Sequence, residues 1–230
     1  MSRAAVPFST SVFSADVTRI GLHCNPVPCV ITGRNMPLTV ASREEVVVGD
    51  ILLIRPGVEH TVICDGGINV MYLDGLPSSG SGRLAERLEG RLAALALDAM
   101  FGGSDAQTAL RQRLVSGRTR FPPQLVAVIE DLIAEPMSRM SQRALADRLQ
   151  MERSKALRLF KATTGQTFRR FKQWSALQHA ARKIASGELV RTAAMDAGFA
   201  DTAHLSRTFR LSFGLTPSEA IAGLAKAAPR

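Results

Sequence analysis

An α+β chain in two domains follows from three features of this 230-residue sequence. Residues 1 to about 75 break into short Val- and Ile-rich runs separated by turn signals, and the later residues repeat apolar side chains at three- and four-residue spacing. The charge is also lopsided: residues 1–118 hold 11 Lys and Arg against 11 Asp and Glu, whereas 119–230 hold 18 against 9. The whole formal charge of +9 therefore sits in the second half, which is drawn to a polyanion. The predicted architecture is a small β-barrel or half-barrel with accessory helices over residues 1–118. An all-α domain over 119–230 follows it, with two helix-turn-helix units joined by a long helix.

Composition sets further expectations. There is no apolar run of membrane-spanning length and no charged segment leading into an apolar core and cleavage site, so a soluble, cytoplasmic protein with no membrane partner is expected. Cys24, Cys29 and Cys64 are odd in number and confined to the first third. They do not read as a disulfide framework, and no cofactor is expected.

In chain order, strands are predicted over 12–20, 28–32, 45–48, 51–55, 60–64 and 68–73. Their turns fall at Gly33-Arg34-Asn35, Gly49-Asp50, Pro56-Gly57 and Asp65-Gly66-Gly67. Closing such strands into a barrel or half-barrel leaves fewer open edges than a flat sheet would. The run PSSGSG at 77–82 is a flexible break. Beyond it Leu84, Leu88, Leu92, Leu95 and Met100 predict a helix over about 84–100, with a second over 105–115. These helices offer more apolar surface than a small sheet covers, which predicts a homodimer through residues 84–100; a helix folded back on its own sheet is the competing reading.

The segment 117–123, GRTRFPP, reads as a linker, after which a Pro-initiated helix carries Leu125, Val128, Ile129, Leu132 and Ile133 until Pro136. Ser141 is predicted to cap a short helix holding Leu145, Ala146 and Leu149, and a helix from Arg153 to Thr163 follows, stopped by Gly165. Thr167 opens a long helix in which Phe168, Phe171, Trp174, Leu177, Ala181 and Ile184 share a face. The pattern then repeats. A short helix with Ala193, Ala194 and Ala197 ends at Gly198, Asp201 caps the next, and Leu205, Phe209 and Phe213 form its apolar side. Gly214 closes that helix, and Thr216-Pro217 starts another with Glu219 in its first turn. The opposite face of the second unit carries Thr202, Ala203, Ser206, Arg207 and Arg210, short donors and guanidinium groups of the kind that reach base edges and phosphates in a major groove.

Residues from about 141 to 221 resemble the DNA-binding domain of the AraC/XylS family of bacterial transcriptional regulators. The resemblance rests on Leu145-Ala146, Met151, Arg158, Phe160, Gly165, Ala194, Gly198-Phe199, Ser206-Arg207, Phe209, Phe213-Gly214 and Pro217-Ser218-Glu219. It implies that Ser154, Leu157 and Arg158 in the first unit, and Thr202, Ala203, Ser206 and Arg207 in the second, contact double-stranded promoter DNA. Arg158 and Arg207 are the candidates for guanine reading or a phosphate clamp, the alternative being an ion pair within the domain. Arg153, Lys155, Lys161 and Arg210 suit backbone contacts or plain solvated charge. The chain departs from the family pattern where Glu152 replaces a usual Ser, Ala156 a bulky apolar residue and Leu157 a polar one. Glu152 is expected to cap poorly; Leu157 is expected either to fill the space beside Ala156 or to touch a thymine methyl.

The stretch Gly49–His60, GDILLIRPGVEH, resembles the second conserved strand-turn-strand of cupin-like barrels, and family members of this type commonly carry such a domain for effector binding or dimerisation. The two-His, one-Glu cluster of catalytic cupins is absent. His60 alone does not make a metal site, although His23, Cys24, Cys29, His60 and Cys64 could in principle converge. The function read from the sequence is a promoter-binding regulator, modulated by a small-molecule effector and contacting RNA polymerase. A non-specific nucleoid-type binder and a cupin-like enzyme are the alternatives.

Overall fold

A computed structural model describes residues 10–76, 83–114, 122–135 and 140–227. The predicted break at 77–82, the linker residues 117–121 and the helix stop at Pro136 lie outside the described residues.

Nine strands, all in antiparallel pairs, form two sheets among these residues: β1 (Thr10–Ala15), β2 (Arg19–His23), β3 (Cys29–Gly33), β4 (Leu38–Ala41), β5 (Val46–Gly49), β6 (Ile51–Ile54), β7 (His60–Ile63), β8 (Ile68–Leu73) and β9 (Ala85–Arg87). The first sheet has the order β1-β8-β3-β6-β9, the second β2-β7-β4-β5. The 12–20 run is two strands in different sheets, and β4 is a strand that the short alternation of Leu38 and Val40 did not reveal.

All six residues of β8 are buried because its neighbours β1 and β3 cover both edges and both of its faces are packed. Side chains alternate across a strand, so Ile68, Val70 and Tyr72 enter the core between the sheets, whereas Met71 and Leu73 enter a second core under the accessory helices. Those helices are α1 (Gly90–Phe101) and α2 (Ser104–Leu114). The helix expected from residue 84 starts later. Residues 85–87 pair with β6, and Gly90 takes a φ of 54°, a left-handed bend that separates strand from helix.

The second half contains α3 (Pro123–Ala134), α4 (Gln142–Arg148), α5 (Arg153–Thr164), α6 (Phe168–Ala185), α7 (Val190–Asp196), α8 (Thr202–Phe213) and α9 (Pro217–Ala227). Local chemistry sets their ends: the Ser141, Thr167 and Asp201 side chains accept N-cap bonds from Ala144, Arg170 and His204. Gly165 and Gly214 close α5 and α8 in the left-handed conformation. Thr216 and Glu219 form a reciprocal capping box on α9.

The two helical units are anchored differently. In the first, α3, α4 and α5 enclose Leu145, Phe160, Phe168 and Phe171 in a core of their own. In the second, Leu205, Phe209 and Phe213 join the core between the β-sheets, where Phe213 meets Tyr72 and Trp174 at centroid distances of 5.4 and 5.5 Å. One half of the helical domain is thus packed as part of the β domain.

Candidate nucleic-acid interface

Two helices present the side chains that chemistry and spacing single out. On α8, the apolar stripe is committed to the core, which forces the opposite face outward: Thr202, Ala203, Arg207 and Arg210 are exposed and Ser206 is half-buried. On α5, burial of Ala156 and Phe160 likewise turns Ser154 and Arg158 to solvent, while Leu157 is half-buried and packs against the first unit's core. Leu157 thus supplies apolar contact beside the small Ala156. The geometry brings each set together on its own helix.

Neither Arg158 nor Arg207 forms an ion pair among the described residues. Arg158 nonetheless adds to the pull that lowers the Glu152 carboxyl pKa. Arg210 lies near Glu219, whose carboxyl is held below the usual range chiefly by the Thr216 amide and hydroxyl, with Arg210 the smallest contributor. Glu152 corrects an expectation: it does cap α5, accepting from the Ser154 amide at 3.0 Å and from the Ser154 hydroxyl. Those bonds lower its carboxyl pKa, so an exposed carboxylate stands at the first turn of the first presenting helix.

The scaffold behind these helices is joined to the β domain by backbone bonds. The Gly21 amide donates to the Gly214 carbonyl at 3.0 Å, the Cys24 amide to Leu211 at 2.9 Å, and the Asp16 amide to Gly223 at 3.2 Å. The first two satisfy carbonyls at the end of α8 that its own turns leave free. A buried polar network ties the same joint to the accessory helices. Asp74 accepts from the Trp174 indole at 2.6 Å and from Gln178 at 3.0 Å; its carbonyl accepts from Arg111 on α2, which also donates to Thr10 at 2.9 Å. Ser11 completes it by donating to Gln178 at 2.9 Å. Sequence reasoning missed this network because its members lie about a hundred residues apart. Lys183 holds α7 against α6 through Glu188 at 2.9 Å and Asp196 at 2.7 Å.

His23 and His60 pack together at 4.2 Å between ring centroids, and each donates its Nδ1–H to a carbonyl two residues earlier, Gly21 and Val58. His23, Cys24, Cys29, His60 and Cys64 do not converge on a metal site: among the described residues no group of three or more His, Cys, Asp or Glu could hold one. Cys29 is buried beside Asn25, and Cys64 donates to Gly67. Nor is any described helix long and apolar enough to cross a membrane.

The described chain therefore combines a β domain carrying two accessory helices with a domain of two helix-turn-helix units on one long helix. Comparisons with known proteins find the same helical unit and the same fold. The family model described as "Helix-turn-helix domain" matches residues 145–222. Among solved structures, ToxT from Vibrio cholerae bound to (E)-4-(8-methylnaphthalen-1-yl)but-3-enoic acid shares the fold, with a TM-score of 0.59 and 12% identity over 94% of this chain and 98% of that one. Unsaturated fatty acid bound ToxT from the same organism gives 0.58 and 10%, over 96% and 97%. No curated protein matches the chain.

Proposed function

We propose that this protein is a sequence-specific transcriptional regulator of the AraC/XylS type, reading promoter DNA through Ser154, Leu157 and Arg158 of the first unit and Thr202, Ala203, Ser206, Arg207 and Arg210 of the second. Residues 1–118 sense and dimerise; residues 119–230 bind DNA. The observation that carries this reading is α8: capped, packed from beneath, and offering an Arg207 with no acidic partner among the described residues. Two such helices fixed to the rigid α6 suit half-sites in direct repeat. A non-specific coat would need only charge, not two separately capped units.

Substituting Arg207 with Ala tests the assignment. If it reads a base, affinity for footprint-selected duplex falls about 10- to 100-fold while affinity for scrambled duplex at the same salt changes little. An equal loss on both probes makes Arg207 a phosphate contact.

The accessory helix supports a dimer. On α1, Leu97 and Phe101 are 37% and 64% exposed on the side away from the core under the sheet. A second copy covering them removes that apolar surface from water. Light scattering at micromolar concentration is expected to give twice the chain mass; a monomer mass excludes this interface. Modulation by an effector and contact with RNA polymerase complete the proposal, the former requiring unequal binding to two arrangements of the halves.

A further inference from the structure

Helices α5 and α8 are built on one plan. Each has 12 residues, an acidic N-cap and a left-handed glycine that closes it, so the two can be compared position by position. Arg158 stands where Arg207 does, Ser154 where Ala203 does and Leu157 where Ser206 does. What the two outward faces offer a duplex is nevertheless different in kind.

On α5 the groups able to hydrogen-bond a base edge are mostly spent. The Ser154 hydroxyl is held by the Glu152 carboxylate that caps the helix, and Leu157, which has no polar atom in its side chain, is half-buried against the first unit's core. Of the three residues assigned to that helix, Arg158 alone remains. Around it stand Arg153, Lys155 and Lys161, all exposed and in no ion pair among the described residues. On α8 the balance is reversed. Its cations are only Arg207 and Arg210, and the place of Lys155 is taken by His204, whose ring packs on Phe199 at a centroid distance of 5.2 Å. Its cap, Asp201, takes the His204 amide at 2.6 Å rather than a hydroxyl, so Thr202 and Ser206 keep theirs for an outside partner. Charge grips phosphates whatever the sequence, whereas base edges are told apart by hydrogen bonds.

We propose that the two units divide the work on one duplex: α5 is an electrostatic anchor that holds the phosphate backbone and recognises at most a single guanine, through Arg158, and α8 carries the discrimination between sequences. The two half-sites then keep the same orientation but not the same information, one being rich in it and the other nearly free of it. The packing suits this division. Helix α8 is anchored by both domains, through the core it shares with the β-sheets and the bond from the Gly21 amide to the Gly214 carbonyl, whereas α5 is packed in a core of the first unit alone. Hydrogen bonds to base edges demand exact placement and stand on the more firmly held helix; charge tolerates displacement and stands on the other. The inference rests on the DNA-binding reading and sharpens its assignment of residues.

Duplexes selected by the full chain from a random-sequence pool are expected to align on one informative block for each chain bound. Lys155→Ala combined with Lys161→Ala is expected to weaken binding to selected and scrambled duplex by the same factor, and to lower the slope of log affinity against log salt by about 0.9 for each cation that touches a phosphate. Thr202→Ala combined with Ser206→Ala is expected to cut the preference for selected over scrambled duplex about tenfold while leaving that slope as it was. All four side chains lie on the outer sides of their helices, where alanine favours the helix. Two equally informative blocks for each chain, an unchanged slope or a loss confined to the selected duplex in the lysine variant, or an unchanged preference in the hydroxyl variant overturns the division and leaves the DNA-binding reading standing. A chain that enriches no duplex and binds none at low salt removes the DNA-binding reading, and the division with it.

Discussion

A carboxylate at the first turn of a helix acts in two directions. Glu152 accepts two bonds from Ser154 and complements the positive end of α5, yet as an exposed charge it repels any phosphate brought to that end. Glutamine keeps an acceptor for the cap and removes the charge. Glu152→Gln is therefore expected to tighten duplex binding about two- to fivefold at low salt, the scale of one screened surface charge, with the gain fading at high salt. Gel-shift titrations at two salt concentrations check it; weaker binding at both would mean that the cap, not the charge, governs. The same turn shows how far single residues were legible. Ser141, Thr167 and Asp201 read as caps because an N-cap bond spans three residues. Glu152 did not, since capping by a longer side chain depends on the rotamer that Ser154 captures. Arg207 was legible as an outward residue from its register against Leu205 and Phe209, but its having no acidic partner among the described residues required the tertiary structure.

Helices α3 to α9 were legible as elements because their start and stop signals are local and their apolar stripes have the helical period. Sheet membership was not. Whether Ala85–Arg87 joins a helix or an edge strand is decided by β6, more than thirty residues away, and the split of 12–20 between sheets by β8 and β7. The closing glycine of α8 shows the difference between local and tertiary demands. Gly214 takes a φ of 73°, and a Cβ there would meet the Ile20 side chain, the Gly21 carbonyl oxygen at 2.5 Å and His23 Nδ1 at 2.8 Å. Gly187 is also left-handed, with a φ of 91°, but nothing lies within 4 Å of a Cβ there. Gly187→Ala is thus expected to cost only the backbone preference, about 1–2 kcal/mol. Gly214→Ala adds overpacking against β2, for a total of roughly 2–5 kcal/mol. Urea unfolding of the two variants measures the difference. Equal losses would show that α8 is not packed against β2 in solution.

At the scale of the whole molecule, the joint between β domain and second unit is sealed by groups that tolerate no charge. His23 is 6% exposed, in contact range of Gly214 and packed at a tilt against His60; burial first, and His60 second, hold its pKa at about 3 against an ordinary 6.5. Burial lowers His60 as well. An unfolded chain takes up the His23 proton below about pH 6.5, the folded chain only near 3, so between those values the unfolded state binds more protons. Stability from this residue is complete above 6.5 and declines as the pH falls through the window. At ~1.4 kcal/mol per pH unit, His23 alone is expected to remove about 2 kcal/mol between pH 7 and pH 5, with His60 adding in the same direction. The loss falls on the contact that fixes α8 to β2, so acid is expected to release the second unit's tryptophan-lined core while the first unit's core, which contains neither histidine, persists. Urea unfolding at pH 7 and 5, followed by Trp174 fluorescence, tests this against His23→Gln, whose smaller pH dependence is the expected result. A pH dependence unchanged by the substitution would place the acid sensitivity elsewhere in the chain.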